Sequence, residues 1–150
     1  MRIVIQRVSE ARVDIAGKTV GAIGRGLMIL VGVEEGDVDD DCRWLVAKTV
    51  ALRVFDDEKG VMNLSVKDVG GEILAISQFT LTASTRKGNR PSYIRAAGHE
   101  TAQRLYEMFV TETEKSLGKK TQKGVFGADM AVSLTNDGPV TIIIDSRLRE

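Results

Sequence analysis

The sequence is poor in the side chains that most enzymes use for chemistry. It has one histidine, His99, one cysteine, Cys42, and two prolines, Pro91 and Pro139. A lone cysteine cannot close an internal disulfide. Cys42 also falls within an apolar helical pattern, so it reads as a buried thiol in a reducing compartment. A zinc site of the usual kind would have to take its remaining ligands from carboxylates, and no motif arranges them, so no metal is expected. A Ser–His–Asp triad would have to use His99, yet no Gly-x-Ser-x-Gly elbow presents a serine to it. His99 is instead expected to face solvent or cap a helix. There is no charge excess either, with 21 basic and 21 acidic residues. That excludes a protein that coats nucleic acid by bulk attraction but leaves room for local basic patches.

Long hydrophobic runs are missing as well. None approaches the roughly 18 apolar residues of a membrane span. Met1-Arg2-Ile3-Val4-Ile5-Gln6 opens directly into a strand pattern without signal-peptide architecture, so a cytoplasmic location is expected. Gly21, Gly24, Gly26 and Gly32 match neither the Walker nor the dinucleotide spacing. They read as hairpin and strand-end glycines, and no nucleotide cofactor is expected.

What is present suits one domain spanning residues 1–150, with a hydrophobic fraction of 43%. Residues 2–8, 11–15, 19–23 and 26–33 are short β-branched or apolar runs, separated by turns at Gly17-Lys18 and Gly24-Arg25. Leu27-Met28-Ile29-Leu30-Val31 is continuous rather than alternating, which predicts a central strand covered on both faces. Asp37 to Asp41 predict an acidic helix start, followed by Cys42, Leu45, Val46, Thr49 and Val50 at helical spacing. A second helix is expected over residues 100–117, with Leu105, Phe109, Thr113 and Leu117 on its buried stripe. A loop is expected around residues 56–63, and strands over 72–79, 121–126, 130–134 and 140–144. The sum is an α/β domain of stacked layers, mostly sheet with two main helices.

Three segments stand out. Ser77-Gln78-Phe79-Thr80-Leu81-Thr82 places polar groups at the end of a buried strand, where hydroxyls and amides often satisfy nearby backbone. In a regular strand Ser77 and Thr80 point to opposite faces. If both serve one pocket, the chain must bulge or leave the sheet near Gln78-Phe79, freeing the Phe79 and Thr80 N–H groups to face an oxyanion. Thr135-Asn136-Asp137-Gly138-Pro139-Val140-Thr141 reads either as an ordinary hairpin turn or as a corner of bare backbone able to read a substrate by main-chain shape. Arg86-Lys87-Gly88-Asn89-Arg90-Pro91-Ser92-Tyr93-Ile94-Arg95 is either a solvated loop or a contact for phosphates and an RNA end. Lys115, Lys119, Lys120 and Lys123 are positioned in sequence to extend such a surface.

Ser77-Gln78-Phe79-Thr80-Leu81 together with Asn136-Asp137-Gly138-Pro139-Val140-Thr141 closely resembles the paired motifs of the D-aminoacyl-tRNA deacylases. The likeness extends through Met1-Arg2, Gln6-Arg7-Val8, Met62-Asn63-Leu64-Ser65, Arg90-Pro91-Ser92 and Phe126-Gly127-Ala128-Asp129-Met130, so it covers essentially the whole chain. The resemblance implies a three-layer α/β/β fold and a cytoplasmic homodimer without cofactor. It also implies hydrolysis of the ester between a D-amino acid and the terminal adenosine of tRNA, and removal of glycine from mischarged tRNA. It implies a cis Gly138–Pro139 pair inserted into the partner's pocket to reject L-amino acids, with Met130 and Asn136 beside it. The same resemblance makes Ser77, Gln78, Phe79 and Thr80 the catalytic segment. Arg86, Lys87, Arg90, Tyr93 and Arg95 are the expected tRNA contacts. Tyr93, Val61 and Gly98-His99 depart from the family's commoner phenylalanine, lysine and proline pair. Two other classes compete: a non-catalytic tRNA-end-binding module and a purely structural protein.

Overall fold

The expected strands at residues 2–8 and 11–15 are one long strand, β1 (Arg2–Ile15), in the computed structural model, which describes Met1–Arg149. Ile3 and Ile5 pack on one face of the sheet, whereas Val8, Ala11 and Val13 pack on the other. The side-chain phase therefore slips by one residue, and it does so at the exposed pair Ser9-Glu10, where the pairing register is irregular. Glycine, proline, asparagine and aspartate are absent there, and the strand bends without stopping. β2 (Lys18–Ile23) returns from the Ala16-Gly17 turn and pairs antiparallel with the far half of β1. β3 (Gly26–Gly32) pairs antiparallel with the near half.

As the continuous apolar run predicts, β3 is covered on both faces. Leu27, Ile29 and Val31 join one core, while Met28 and Leu30 join the other. β6 (Glu72–Ser77) lies parallel to β3 and divides in the same way, with Ile73 and Ala75 opposite Leu74 and Ile76. β7 (Gln122–Lys123) pairs parallel to β6, shorter than the expected 121–126. Past β7 the sheet curls until β2 nearly meets it. A Cβ on Gly21 would stand 2.9 Å from the Lys123 carbonyl, so the near-closure needs glycine there. β4 (Phe55–Asp56) and β5 (Met62–Leu64) form a separate two-stranded ribbon.

Two helices cover one face of the sheet. α1 (Asp39–Ala51) buries Cys42, Leu45, Val46, Thr49 and Val50, the stripe read from spacing. Burial pushes the Cys42 thiol up to about 12, reinforced by the charges of Glu112 and Asp39, which leaves it an inert core group. The acidic start is shorter than expected, because Asp37 lies outside α1 with a fully buried side chain. It takes the Met1 ammonium at 2.7 Å and Arg147 at 2.9 Å. α2 (His99–Leu117) buries Leu105, Phe109, Thr113 and Leu117 and ends at Gly118 in the left-handed region, φ 78°. Helices, one half of the bent sheet and its overlying half make the α/β/β layers.

The largest departure concerns the last strands. The strands expected over residues 130–134 and 140–144 are not arms of a hairpin; apart from Met130, both lie in β8 (Ala131–Asp145), which runs antiparallel along nearly the whole of β1. Gln6 faces Thr141 and Val8 faces Asn136, so a two-residue step in β1 opposes a five-residue step in β8. The surplus residues are expelled as a protrusion carrying Gly138 and Pro139. Turn chemistry is therefore real, but it makes a bulge within one strand. No described helix is long and apolar enough to cross a membrane.

Candidate active site

The parallel ladder between β3 and β6 ends at Ser77 opposite Val31, and the Gln78 N–H makes a last bond to the Val31 carbonyl at 2.8 Å. The chain then leaves the sheet and forms a 3-10 turn, Phe79–Thr82. Such an exit is required if Ser77 and Thr80 are to serve one pocket. Gly32 makes it sterically possible, since a Cβ there would fall 2.9 Å from Leu81 Cβ and 3.1 Å from the Gln78 carbonyl. Thr82 is fully buried and its hydroxyl donates to the Phe79 carbonyl at 2.8 Å, locking the turn from inside. Among the described residues, the Phe79 and Thr80 N–H groups have no backbone or side-chain acceptor.

A cavity of about 540 Å³ opens at this exit. Ser77, Gln78 and Phe79 line one side, Met130 and Val132 another, and the start of α2 a third. Its walls are mainly apolar, which suits exclusion of water around a few polar groups. Thr80 is tied to it through Gln78, whose Nε2 donates to Thr80 Oγ1 at 2.6 Å. An amide donor leaves the hydroxyl proton in place, so this contact orients Thr80 and does not turn it into a nucleophile. His99 is exposed, as expected, but it does more than face solvent. Its ring sits edge-to-face on Phe126 at 5.0 Å and forms part of the cavity wall. The helix-cap alternative is not realised, because Gly98 is the N-cap and no side chain bonds there.

Phe79 is 56% exposed and meets Tyr93 edge-to-face at 5.0 Å, a wet aromatic pair at the cavity rim. Beyond it, reciprocal bonds between Ser84 and Ser92 at 2.8 and 2.9 Å pinch the neck of the basic loop. Arg86, Lys87 and Arg90 project from that loop, exposed and without ion pairs among the described residues. Arg95 is differently engaged: it donates to the Thr82 carbonyl at 3.3 and 3.1 Å and to Ala83 at 3.4 Å. Of the four lysines, Lys115, Lys119 and Lys123 are occupied by Glu112, the Gly70 carbonyl and Glu107.

The protrusion of β8 is braced as carefully as the turn. The Gly138–Pro139 peptide is cis. Asn136 spans the neck: its Oδ1 accepts the Val140 N–H at 3.1 Å, and its Nδ2 donates to Gln6 and to Thr141. Arg7 supports the outer limb, donating to the Asp137 carbonyl at 3.0 Å and to the Val54 carbonyl at 2.7 Å. The Asp56 and Asp137 carboxylates, each 3.4 Å away, balance its nearly buried charge. No motif in the sequence assigns Arg7 a role of its own. The available signal was a guanidinium at a position whose alternation points into the helix-facing core. Asp137, Gly138 and Pro139 are exposed and do not line the cavity. One chain thus brings together Ser77, Gln78, Phe79, Thr80 and Met130, and it holds Asn136, Gly138 and Pro139 apart from them.

Comparison with known proteins gives a consistent relationship. The family model described as D-Tyr-tRNA(Tyr) deacylase matches residues 4–145. D-aminoacyl-tRNA deacylases of Flavobacterium psychrophilum and Akkermansia muciniphila are each 59% identical to this chain over 150 residues, covering all of both sequences. A solved structure of a c-Myc DNA Unwinding Element Binding Protein superposes with a TM-score of 0.92 at 40% identity, covering 97% of this chain and 98% of that one. A structure described as a probable eukaryotic D-amino acid tRNA deacylase shares the fold, with a TM-score of 0.81 at 16% identity over 95% of this chain and 97% of that one. Coverage of nearly the whole chain by one family model, with relatives at this level of identity, places the paired motifs within a single lineage: the chain belongs to the D-Tyr-tRNA(Tyr) deacylase family.

Proposed function

We propose that the protein hydrolyses the ester linking a D-amino acid to the terminal adenosine of tRNA and spares the L-aminoacyl ester. The observation that carries this reading is the exit of β6 into the Phe79–Thr82 turn, which lines a mostly apolar cavity with Ser77, Gln78 and Phe79 in a member of this family. An aminoacyl ester is already reactive. The site has to hold the carbonyl, offer donors to the developing oxyanion and admit water. The Phe79 and Thr80 amides supply the donors, and Thr80, oriented by Gln78, positions the ester. Water attacks with help from the substrate's own ribose hydroxyl. Arg86, Lys87 and Arg90 hold the phosphates of the acceptor end, while Tyr93 and Phe79 pack against its bases.

Chirality is read by backbone. Inverting Cα exchanges the hydrogen and the side chain, so a rigid wall close to that position admits one hand and clashes with the other. Gly138 and Pro139 provide such a wall, with Met130 beside it and Asn136 beneath it. Because the corner stands outside the cavity of its own chain, a second copy supplies it, and the working unit is a homodimer. A filter that excludes only L side chains also admits glycine, so mischarged glycyl-tRNA is a second substrate. The test is deacylation of matched D-Tyr-tRNA and L-Tyr-tRNA. Rapid loss of the D ester alone is expected. Binding of uncharged tRNA with neither ester hydrolysed would point instead to a non-catalytic end-binding module.

A further inference from the structure

The 3-10 turn is gripped from its far end by two arginines that reach it from opposite directions in the sequence. Arg2, at the start of β1, donates through Nη1 to the Leu81 carbonyl at 2.9 Å. Its Nε and Nη2 are held by Asp145 Oδ2, at the end of β8, at 3.1 and 2.8 Å. Arg95, in the segment leading into α2, donates to the Thr82 and Ala83 carbonyls, and its Nη2 lies 3.9 Å from the buried Glu34. Leu81, Thr82 and Ala83 are the last carbonyls of a one-turn helix, the groups left without intrahelical partners. Each arginine therefore joins an orphan carbonyl of the turn to a carboxylate anchored elsewhere in the fold.

We infer that Arg2 and Arg95 are positioning residues for the reaction, acting through the turn that carries Phe79 and Thr80. This rests on the reading that the turn addresses the ester. The turn has left the sheet, so no ladder fixes it. Beyond the bonding within the 3-10 helix itself, its local bonds are few: Leu81 N–H to the Gln78 carbonyl at 3.3 Å, Ala83 N–H to the Thr80 carbonyl at 3.1 Å, and the Thr82 hydroxyl to the Phe79 carbonyl. The packing of Leu81 over Gly32 limits approach toward the sheet but not sliding along it. The two guanidinium groups remove that freedom, because they pull on adjacent carbonyls from β1 and from the α2 side. Arg95 thereby acquires a role other than phosphate contact, and Arg2 a role that no motif suggested.

The experiment compares Arg2→Ala, Arg95→Ala, Arg95→Lys and Asp145→Asn by steady-state deacylation of D-Tyr-tRNA, inhibition by uncharged tRNA, and amide hydrogen exchange. Displacing a reacting group by about 1 Å costs on the order of a hundredfold. The alanine variants are therefore expected to lose about tenfold to a hundredfold in kcat with KM and inhibition by uncharged tRNA nearly unchanged. Arg95→Lys should recover part of the loss. Asp145→Asn, which frees Arg2 without removing it, should lose less than Arg2→Ala. Exchange at the Leu81 and Ala83 amides should quicken in step with the loss of kcat. A raised KM, weakened inhibition by uncharged tRNA and unchanged kcat would overturn the inference for Arg95 and make it a phosphate contact. Unchanged exchange at both amides overturns it for either arginine, even where a variant is less stable. If the unaltered protein fails to cleave the D ester, the proposed function falls, while the exchange data still decide whether the arginines hold the turn.

Discussion

Gly138→Ala provides a severe test of the backbone corner because the structure specifies what the added methyl group meets. Gly138 has φ 127°, a region that L side chains rarely adopt. Its new Cβ would stand 2.9 Å from Arg7 Nη2, 3.0 Å from Val140 Cγ2 and 3.3 Å from the Val140 nitrogen. Arg7 cannot simply withdraw, since Val54 and Asp137 carbonyls hold it and its side chain is only 8% exposed. The corner must move instead. Strain of this kind costs about 1–3 kcal/mol, and a displacement of about 1 Å at a reacting geometry costs on the order of a hundredfold in rate. Asp137→Ala is the matched control. Its carboxylate is half exposed and loses one 3.4 Å ion pair to Arg7, while the backbone bond from Arg7 to the Asp137 carbonyl survives. That change is worth no more than about 1 kcal/mol. Single-turnover deacylation of D-Tyr-tRNA and L-Tyr-tRNA, with thermal unfolding of each variant, measures both terms. A strong loss for Gly138→Ala and near-normal activity for Asp137→Ala are expected. Equal activities, or a Gly138→Ala protein that still separates the two hands, would refute the idea of a backbone wall.

Arg7→Ala removes the partner of two carbonyls and leaves Val54 C=O buried, so urea unfolding should show a loss on the order of 3 kcal/mol, partly restored in Arg7→Lys. Thr80→Val keeps the shape of the turn and deletes the hydroxyl; kcat should fall about tenfold, not by the thousandfold or more expected on removing a covalent nucleophile. Trapping of an acyl group on Thr80 would reverse that conclusion. For Asp145, burial favours the neutral acid, but the Arg147 N–H, the Arg2 hydrogen bond and charge, and the N-terminal ammonium outweigh it and hold the carboxyl below its ordinary 3.8. The unfolded chain then binds that proton more readily. This stabilisation is complete above the ordinary value and disappears as pH falls through the lower folded value. Unfolding curves between about pH 3 and pH 7 should therefore show a shallower acid loss in Asp145→Asn than in the unaltered chain.

The elements legible in the sequence were those whose signal is local. Cys42, Leu45, Val46, Thr49 and Val50 report one helix face by spacing alone, and β3 reports double-sided burial by its unbroken apolar run. The exit at Gln78 is legible as a condition, since Ser77 and Thr80 can serve one pocket only if the chain leaves the strand there; the chain does leave, while Thr80 reaches the cavity only through its bond from Gln78. Elements whose form depends on distant partners are legible only in part. Asn136-Asp137-Gly138-Pro139 has the composition of a hairpin turn, and only pairing with β1 reveals it as surplus chain expelled from one strand. Ser9-Glu10 looks like a break because both residues are polar, yet β1 continues through them with a change of phase. Asp37 belongs by sequence to an acidic helix start, but the buried Met1 ammonium claims it. Arg95 reads as one of four cations in a basic loop until the carbonyls of the turn are placed beside it.

The separation of turn and corner within one chain has a consequence for assembly. Arg2 touches the turn at Leu81, and Gln6 touches the base of the corner at Asn136. The four-residue step along β1 from Arg2 to Gln6 spans roughly 13 Å at the usual strand rise. Both features are anchored to that same strand, at separate points along it. On the proposed reading, in which one site uses both, they come from different copies. The two defects should then complement each other in mixtures. A Gly138→Ala chain has a sound cavity and a damaged corner, whereas a Ser77→Ala, Thr80→Val chain has a damaged cavity and a sound corner. In a two-fold dimer, exchange between equal amounts of the two makes about half of the dimers mixed, each with one sound composite site of two. Activity should rise, after dissociation and reassociation, to about a quarter of the unaltered level. Freshly mixed, unexchanged dimers should show no such rise. Strict additivity of the two weak activities after exchange would mean that corner and turn do not meet across two chains and would refute the composite site.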